Sequence, residues 1–136
     1  MKKIKHYNIM LVEDEVLLRQ SLARHIDALE MGYKVVCQVP DGQAALDALA
    51  SSDIHLIITD IRMPVMDGLV LARAVHDRYP HILTIVLSGY ADFEYAQEAL
   101  RQGVFDYLLK PVSRENLESA LGKASLALEK YFQLEE

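Results

Sequence analysis

The sequence predicts an α/β domain, a doubly wound (βα)5 sandwich in which helices cover both faces of a five-stranded parallel sheet. Short apolar runs alternate five times with longer segments of helical periodicity. The apolar runs are nearly continuous, which is typical of parallel strands buried on both faces. The 136 residues suffice for one domain with its own core.

The first half of the chain supplies three strands and two helices. The predicted strands are NIMLVE (8–13), the β-branched run KVVCQV (34–39) and HLIITD (55–60), which ends on a carboxylate. Residues 15–29 and 43–50 place Leu, Val and Ala at helical spacing. Met31-Gly32 and Asp41-Gly42 are the turn signals between them.

The second half continues the alternation. Pro80 stops one predicted helix, Gly103 ends the next, and Ser113 caps the last. The predicted strands are 82–88 and 104–109, and the predicted helices are 69–79, 92–102 and 114 to about 134.

The apolar stripe of the last helix is long. It predicts packing on the domain's own sheet in the first half and, beyond Leu126, contact with a partner or a path to a following domain. We therefore expect a domain over 1–127 and a helical extension over 128–136, the start of a linker to an output domain absent from this chain.

Composition excludes several classes of protein. With 14 basic and 20 acidic residues the net charge is −6, which disfavours nucleic-acid binding by this chain itself. Cys37 is alone, so no internal disulfide can form, which suits a reducing compartment. There is no signal-peptide pattern and no apolar stretch of membrane-spanning length, so a cytoplasmic location is expected.

Polar side chains follow the predicted strands. Ligands of an open parallel sheet bind at the carboxyl ends of the strands, so these groups should converge. Each residue type alone is more often a helix cap, a turn or a solvated loop, and only their joint occurrence favours a site. The groups are Glu13 and Asp14 at the end of the first strand, Asp60 at the end of the third, Ser88 at the end of the fourth and Lys110 at the end of the fifth.

Three converging carboxylates repel one another unless a cation is present. Oxygen-only ligation suits Mg²⁺, and the lack of nearby cysteine and histidine argues against zinc. A lysine and a hydroxyl can hold phosphoryl oxygens, and a carboxylate can act as a nucleophile toward phosphorus. This set of groups favours an aspartyl phosphate.

The residues of this predicted site lie in segments that resemble those of a known family. The segments LVEDE, TDIRMPVMDG, VLSGY and DYLLKPV, in this order and spacing, are highly specific, and residues 6 to 127 resemble the receiver domain of bacterial two-component response regulators. The resemblance implies a flavodoxin-like fold of strand order 2-1-3-4-5. It also implies a regulatory switch that assists its own phosphorylation and dephosphorylation, not an enzyme, and a sensor histidine kinase as partner.

The resemblance also assigns roles in the site. Lys110-Pro111 should be a cis peptide bond. Phosphorylation should couple Ser88 to Tyr107, although Tyr107 is equally consistent with an ordinary half-buried strand tyrosine. Bulky Arg62 and Tyr90 should slow loss of the phosphate. Asp60 is the expected phosphoacceptor, and Ser88 and Lys110 are expected to contact the phosphoryl oxygens. The expected Mg²⁺ ligands are the side chains of Asp14 and Asp60, Glu13 through water, and the main-chain carbonyl of Arg62.

The run SGYADFEYAQEALRQGVFDYLLKPV is similar to YesN-like regulators, which carry AraC-type helix-turn-helix domains. Contact with DNA, and control of transcription, would therefore need an output domain outside this chain. A homodimer through the fourth helix, fifth strand and fifth helix is a further expectation.

Three other functions fit the sequence less well. A haloacid dehalogenase-type phosphatase needs an aspartate where Arg62 stands, and a flavin module needs a hydroxyl- and glycine-rich loop where Glu13-Asp14-Glu15 stands. A pseudo-receiver that binds partners without phosphorylation is disfavoured by the intact Asp60 and Lys110.

Overall fold

The computed structural model describes residues 6–89, 92–101 and 103–132, and in these ranges five strands alternate with five helices. The strands are β1 (Tyr7–Val12), β2 (Tyr33–Val39), β3 (Leu56–Asp60), β4 (Leu83–Ser88) and β5 (Asp106–Leu109). The helices are α1 (Val16–Leu29), α2 (Gly42–Leu49), α3 (Gly68–Arg78), α4 (Phe93–Arg101) and α5 (Arg114–Phe132).

The five strands form one parallel sheet of order β2-β1-β3-β4-β5, which confirms the expected fold class and strand order. Predicted and observed boundaries differ mostly by one residue. The largest difference among the strands is at β5, where pairing with β4 begins at Asp106 instead of Val104. The apolar side chains of Val104 and Phe105 still pack in the interior, and this is the feature that the sequence pattern detected.

Apolar side chains fill both faces of the sheet. On one face, α1 and α5 pack on β1, β3 and β4 through residues such as Ile26, Leu121 and Leu128. On the other face, α2 and α3 cover one part of the sheet and α4 covers another. Leu128 is fully buried and Phe132 packs against the first of these clusters, so the described part of α5 lies on the core along its length.

Helix caps and one close contact fix the loops at the carboxyl edge of the sheet. Asp67 Oδ1 accepts the N–H groups of Leu69 and Val70 at 3.0 Å and so begins α3. A Cβ atom at Gly68 would overlap the carbonyl oxygen of Asp60. Only glycine therefore allows α3 to begin this close to the end of β3.

Two local predictions are confirmed. Ser113 Oγ accepts the N–H of Asn116 at 3.0 Å and caps α5. The Lys110-Pro111 peptide bond is cis. Within the described ranges, no helix is both long and apolar enough to cross a bilayer.

Candidate functional site

The polar groups predicted from the strand ends lie together at one edge of the sheet. Glu13 and Asp14 follow β1, Asp60 ends β3, Ser88 ends β4 and Lys110 follows β5. The strand order reverses between β1 and β3, because β2 lies outside β1 while β4 and β5 lie beyond β3. Parallel sheets form their ligand crevice at this kind of point.

Three carboxylates form the negative part of the site. Glu13, Asp14 and Asp60 each offer an oxygen atom, and these atoms all lie within 4.8 Å of one another. Glu13 and Asp60 are buried, with 3% and 6% of their surface exposed, whereas Asp14 is exposed. Two of the three charges are therefore removed from water, which makes their mutual repulsion costly.

Lys110 supplies the positive charge. Its Nζ donates to Asp60 Oδ2 at 2.8 Å and lies 3.8 Å from Glu13 Oε1. Burial alone lowers the pKa of the lysine, but the hydrogen bond and charge of Asp60, with further help from Glu13 and Glu15, outweigh this and raise its pKa. The ammonium is thus held in its charged form beside the phosphoacceptor candidate.

One oxygen of the Glu13 carboxyl group lacks a hydrogen-bond donor within the described part of the chain. Its Oε2 accepts the N–H of Glu15 at 3.1 Å, but its buried Oε1 has no hydrogen-bond partner among the described residues. Burial is the main cause that raises the pKa of this carboxyl to about 7. A buried carboxylate oxygen without a donor is an unfavourable arrangement that a cation can relieve.

The donor set fits a hard divalent cation. All the grouped ligand atoms are carboxylate oxygens, one member is solvent-exposed, and one buried oxygen lacks a donor. This chemistry suits Mg²⁺, which keeps several waters and takes one or two carboxylates from the protein.

Ser88 contributes a buried hydroxyl. Its side chain is fully buried, and Oγ lacks a hydrogen-bond partner within the described part of the chain. The N–H of Lys110 donates to the Ser88 carbonyl at 2.8 Å, which ties the ends of β4 and β5 together. Tyr107 is half-buried on β5, opposite Val86, and packs against the apolar cluster under α4.

A set of contacts beside the site was not found from the sequence. Arg62 Nε donates to Asp92 Oδ1 at 2.8 Å, and this hydrogen bond raises the pKa of the guanidinium. Tyr95 OH donates to Asp67 Oδ2 at 2.8 Å, which raises the pKa of the tyrosine. Asp67 entered the sequence analysis only within the segment TDIRMPVMDG, and no periodicity points to pairs 28 and 30 positions apart. Tyr90, predicted to act with Arg62, lies outside the described residues.

Comparisons with known proteins agree on one family. The model of the response regulator receiver domain matches residues 9–122. The uncharacterized transcriptional regulatory protein YesN of Bacillus subtilis is 37% identical over 115 residues, which are 85% of this chain and 31% of that protein. The transcriptional regulatory protein HptR of Staphylococcus aureus is 33% identical over 86% of this chain and 46% of its own length.

A solved structure gives the same result. The REC domain of AraT, a response regulator from Geobacillus stearothermophilus, superposes with a TM-score of 0.84 at 34% identity, covering 92% of this chain and 97% of that one. The chain spans less than half the length of the two curated relatives named above.

Proposed function

The chain belongs to the family of response regulator receiver domains, and we propose that its Asp60 accepts a phosphoryl group from a histidine kinase. The observation that carries this proposal is the 2.8 Å contact of Asp60 with Lys110, inside a cluster of three carboxylates. Nucleophile, counter-charge and cation ligands thus meet at the crevice of the sheet, where phosphoryl transfer needs positioning and charge neutralisation.

In the transfer step, a carboxylate oxygen of Asp60 attacks the phosphorus atom of a phosphohistidine. The new O–P bond forms as the N–P bond breaks, and the imidazole leaves with the electron pair and takes a proton from water. Lys110 Nζ, already at Asp60, offsets charge on the phosphoryl oxygens, and Ser88 Oγ has a hydroxyl free to donate to one of them. The domain thereby assists its own phosphorylation and dephosphorylation.

Glu13, Asp14 and Asp60 are the residues that would hold Mg²⁺, with Glu13 acting through water and the Arg62 carbonyl as a further ligand. The ion would neutralise negative charge on the phosphoryl oxygens. The lack of a hydrogen-bond donor at Glu13 Oε1 among the described residues and the close spacing of the three carboxylates support this assignment.

Phosphorylation is proposed to shift a two-state equilibrium through Ser88 and Tyr107. The phosphoryl group would draw the Ser88 hydroxyl toward it, and the ring of Tyr107 would then move inward. Support comes from the buried, unpartnered Ser88 Oγ and from the half-buried position of Tyr107 on the neighbouring strand. A new ligand shifts such an equilibrium only through contacts that differ between the two states.

The partners of the chain are proposed from its relatives. Both relatives named above are transcriptional regulatory proteins, so an output domain that binds DNA would act in the whole protein. Residues 128–136 would lead toward that domain, and residues 133–136 lie outside the described part of the chain. A phosphorylation-stimulated homodimer would use the surface of α4, β5 and α5. The expected location is the cytoplasm, where a kinase domain would meet the receiver.

The decisive test is the intact mass of the protein after incubation with acetyl phosphate and Mg²⁺. Wild type should gain about 80 Da, the mass of one phosphoryl group, and lose this gain in EDTA. Asp60→Asn, which keeps the shape of the side chain, should gain nothing. A folded wild type that gains no mass would overturn the proposal and favour a pseudo-receiver; the same gain in Asp60→Asn would place the phosphate on another residue.

A further inference from the structure

Four side chains form a polar bridge between the β3–α3 loop and the start of α4. Arg62 pairs with Asp92 and Tyr95 with Asp67, each at 2.8 Å. The two pairs are joined because the Arg62 guanidinium carbon lies 5.3 Å from the centre of the Tyr95 ring, a cation–π distance. These four residues are here named the α4 bridge.

The two halves of the α4 bridge differ in how firmly they are held. Asp67 uses its other oxygen to cap α3, so its position is fixed by that helix. Arg62 is 70% exposed at its side chain and Asp92 13%, and an ion pair this open to solvent is weak by itself. The Tyr95–Asp67 hydrogen bond is therefore the better-anchored contact.

Among the side chains that the structure describes on α4, the buried apolar ones are small, which increases the relative importance of the α4 bridge. The fully buried side chains described on α4 are Ala96 and Ala99, each a single methyl group. By comparison, α5 buries Leu117 and Leu121, and larger side chains remove more apolar surface from water. A helix with little buried apolar surface opens easily, so polar contacts decide much of its position.

A phosphoryl group on Asp60 would compete for Arg62. It brings a charge of about −1.5 to −2 and three acceptor oxygens only two residues before the arginine. A guanidinium binds such oxygens in a bidentate manner. In the structure the same guanidinium is held at Asp92.

We propose that the α4 bridge holds the start of α4 against the β3–α3 loop before phosphorylation, and so opposes the state that phosphorylation favours. The new charge on Asp60 draws Arg62 away from Asp92 and releases the helix. This inference rests on the proposed phosphorylation of Asp60. Asp67, Asp92 and Tyr95 are positioning residues, because they act through the placement of α4, whereas Arg62 would also contact the phosphoryl oxygens.

The first test compares phosphate uptake in two single variants. Tyr95→Phe removes the hydroxyl but keeps the ring, which packs against the apolar cluster between α4 and the sheet. Arg101→Gln is the matched control, because it removes an exposed ion pair with Glu98 that lies within α4 itself. We expect Tyr95→Phe to take up phosphate from acetyl phosphate about two- to fivefold faster than wild type, the effect of losing one modest contact. Arg101→Gln should match wild type, and an unchanged rate in Tyr95→Phe would overturn the inference.

Substitutions of Asp92 test the second arm of the α4 bridge and leave Arg62 itself in place. Asp92→Asn should raise the uptake rate, because the amide has no charge to hold the guanidinium, and Asp92→Glu, which keeps the charge, should stay nearer to wild type. If Asp92→Asn took up phosphate no faster than Asp92→Glu, charge pairing with Arg62 would not hold α4, and this arm of the inference would be overturned.

Amide hydrogen exchange in the unphosphorylated protein separates this inference from the proposed function. In EDTA, residues 92–101 should exchange faster in Tyr95→Phe than in Arg101→Gln, while α3 exchanges equally in both. Equal exchange of α4 in a protein that is phosphorylated normally would overturn the inference alone. Faster exchange in a protein that never takes up phosphate would support the bridge and overturn the proposed function.

Discussion

Lys110 Nζ lies 2.8 Å from Asp60 Oδ2 although the strands that carry the two residues are not neighbours in the sheet. β4 runs between β3 and β5, so the lysine reaches across the end of β4 to the carboxylate. The same ammonium is 3.8 Å from Glu13 Oε1, beyond β3. One cation thus connects the ends of β1, β3 and β5, and the first prediction follows from this contact.

Replacing Lys110 by glutamine should impair both chemistry and stability. Phosphate uptake should fall on the order of 10–100-fold, because an oriented positive charge for the phosphoryl oxygens is lost. The free energy of unfolding should fall by about 1–2 kcal/mol, because the charges of Glu13 and Asp60 lose their counter-charge. The measurements are intact mass against time and urea unfolding. Lys123→Gln, on the exposed face of α5, is the control; equal uptake in both variants would remove Lys110 from the phosphoryl site.

Mg²⁺ should stabilise the protein through Asp14. At ten times its dissociation constant, a cation that binds only the folded state adds about 1.4 kcal/mol to the free energy of unfolding. Asp14→Asn should lose most of this gain, whereas Glu15→Gln, an adjacent exposed acid outside the carboxylate cluster, should keep it. Thermal unfolding in EDTA and in MgCl₂ measures the stabilisation by the ion in wild type and in each of the two variants. Equal stabilisation of Asp14→Asn and wild type would show that the ion binds elsewhere.

Gly68 and Gly122 should respond oppositely to alanine. A Cβ atom at Gly68 would overlap the Asp60 carbonyl oxygen and lie 3.0 Å from Ile61 Cα, so Gly68→Ala should cost about 1–3 kcal/mol and displace the phosphoacceptor. At Gly122, inside α5, the nearest atom would be Met31 Cε at 4.0 Å, and Gly122→Ala should add about 0.4–1 kcal/mol. Urea unfolding of the two variants gives the comparison, and a neutral Gly68→Ala would refute the steric reason.

His55 should make the protein less stable as the pH falls. Its Nδ1 accepts the N–H of Asn8 at 2.9 Å, and its ring packs edge-on against Tyr7 and Phe132. Burial, more than the opposing influence of Asp53 or the small effect of His6, lowers its pKa below 6.5 in the folded protein. Below that pH the unfolded chain binds the extra proton, so stability is full above about 6.5 and is lost as the pH falls through the folded value.

The pH prediction is checked with His55→Asn, whose side-chain oxygen can replace Nδ1 as an acceptor but cannot be protonated near neutral pH. Urea unfolding at pH 7.5 and at pH 5.5 should show a smaller loss for His55→Asn than for wild type. The exposed His25, replaced in the same way, should leave the wild-type loss unchanged. If all three proteins lose the same stability, His55 is not the group responsible.

Arg62 and Tyr90 should lengthen the life of the phosphate on Asp60. The resemblance to receiver domains implies that side chains two positions after Asp60 and after Ser88 flank the phosphoryl group, where bulk would hinder the attacking water; Tyr90 itself lies outside the described residues. The double variant Arg62→Ala, Tyr90→Ala should therefore lose phosphate several-fold faster once the donor is removed, followed by intact mass. Arg101→Gln should decay as wild type does, and an unchanged rate in the double variant would end this interpretation.

The polar residues of the site could be predicted from the sequence because they lie at the ends of predicted strands. Each polar residue of the site lies at or just after the end of a recognisable apolar strand, and parallel strands bring their carboxyl ends to one edge; these residues are Glu13, Asp14, Asp60, Ser88 and Lys110. The exact start of β5 was harder to place, because apolar periodicity reports burial and not hydrogen bonding.

The sequence by itself determined the alternation of strands and helices, the edge where ligands bind and the residues that meet there. These depend on local properties, namely periodicity, turn residues and position at a strand end. Only the tertiary structure decided that Arg62 contacts Asp92, that Tyr95 contacts Asp67, and that Glu13 Oε1 is buried without a donor. Each of these contacts depends on the relative position, to within a few ångströms, of segments that are far apart in the sequence. The reach and burial of single side chains produce no periodic pattern in the sequence from which such contacts could be predicted.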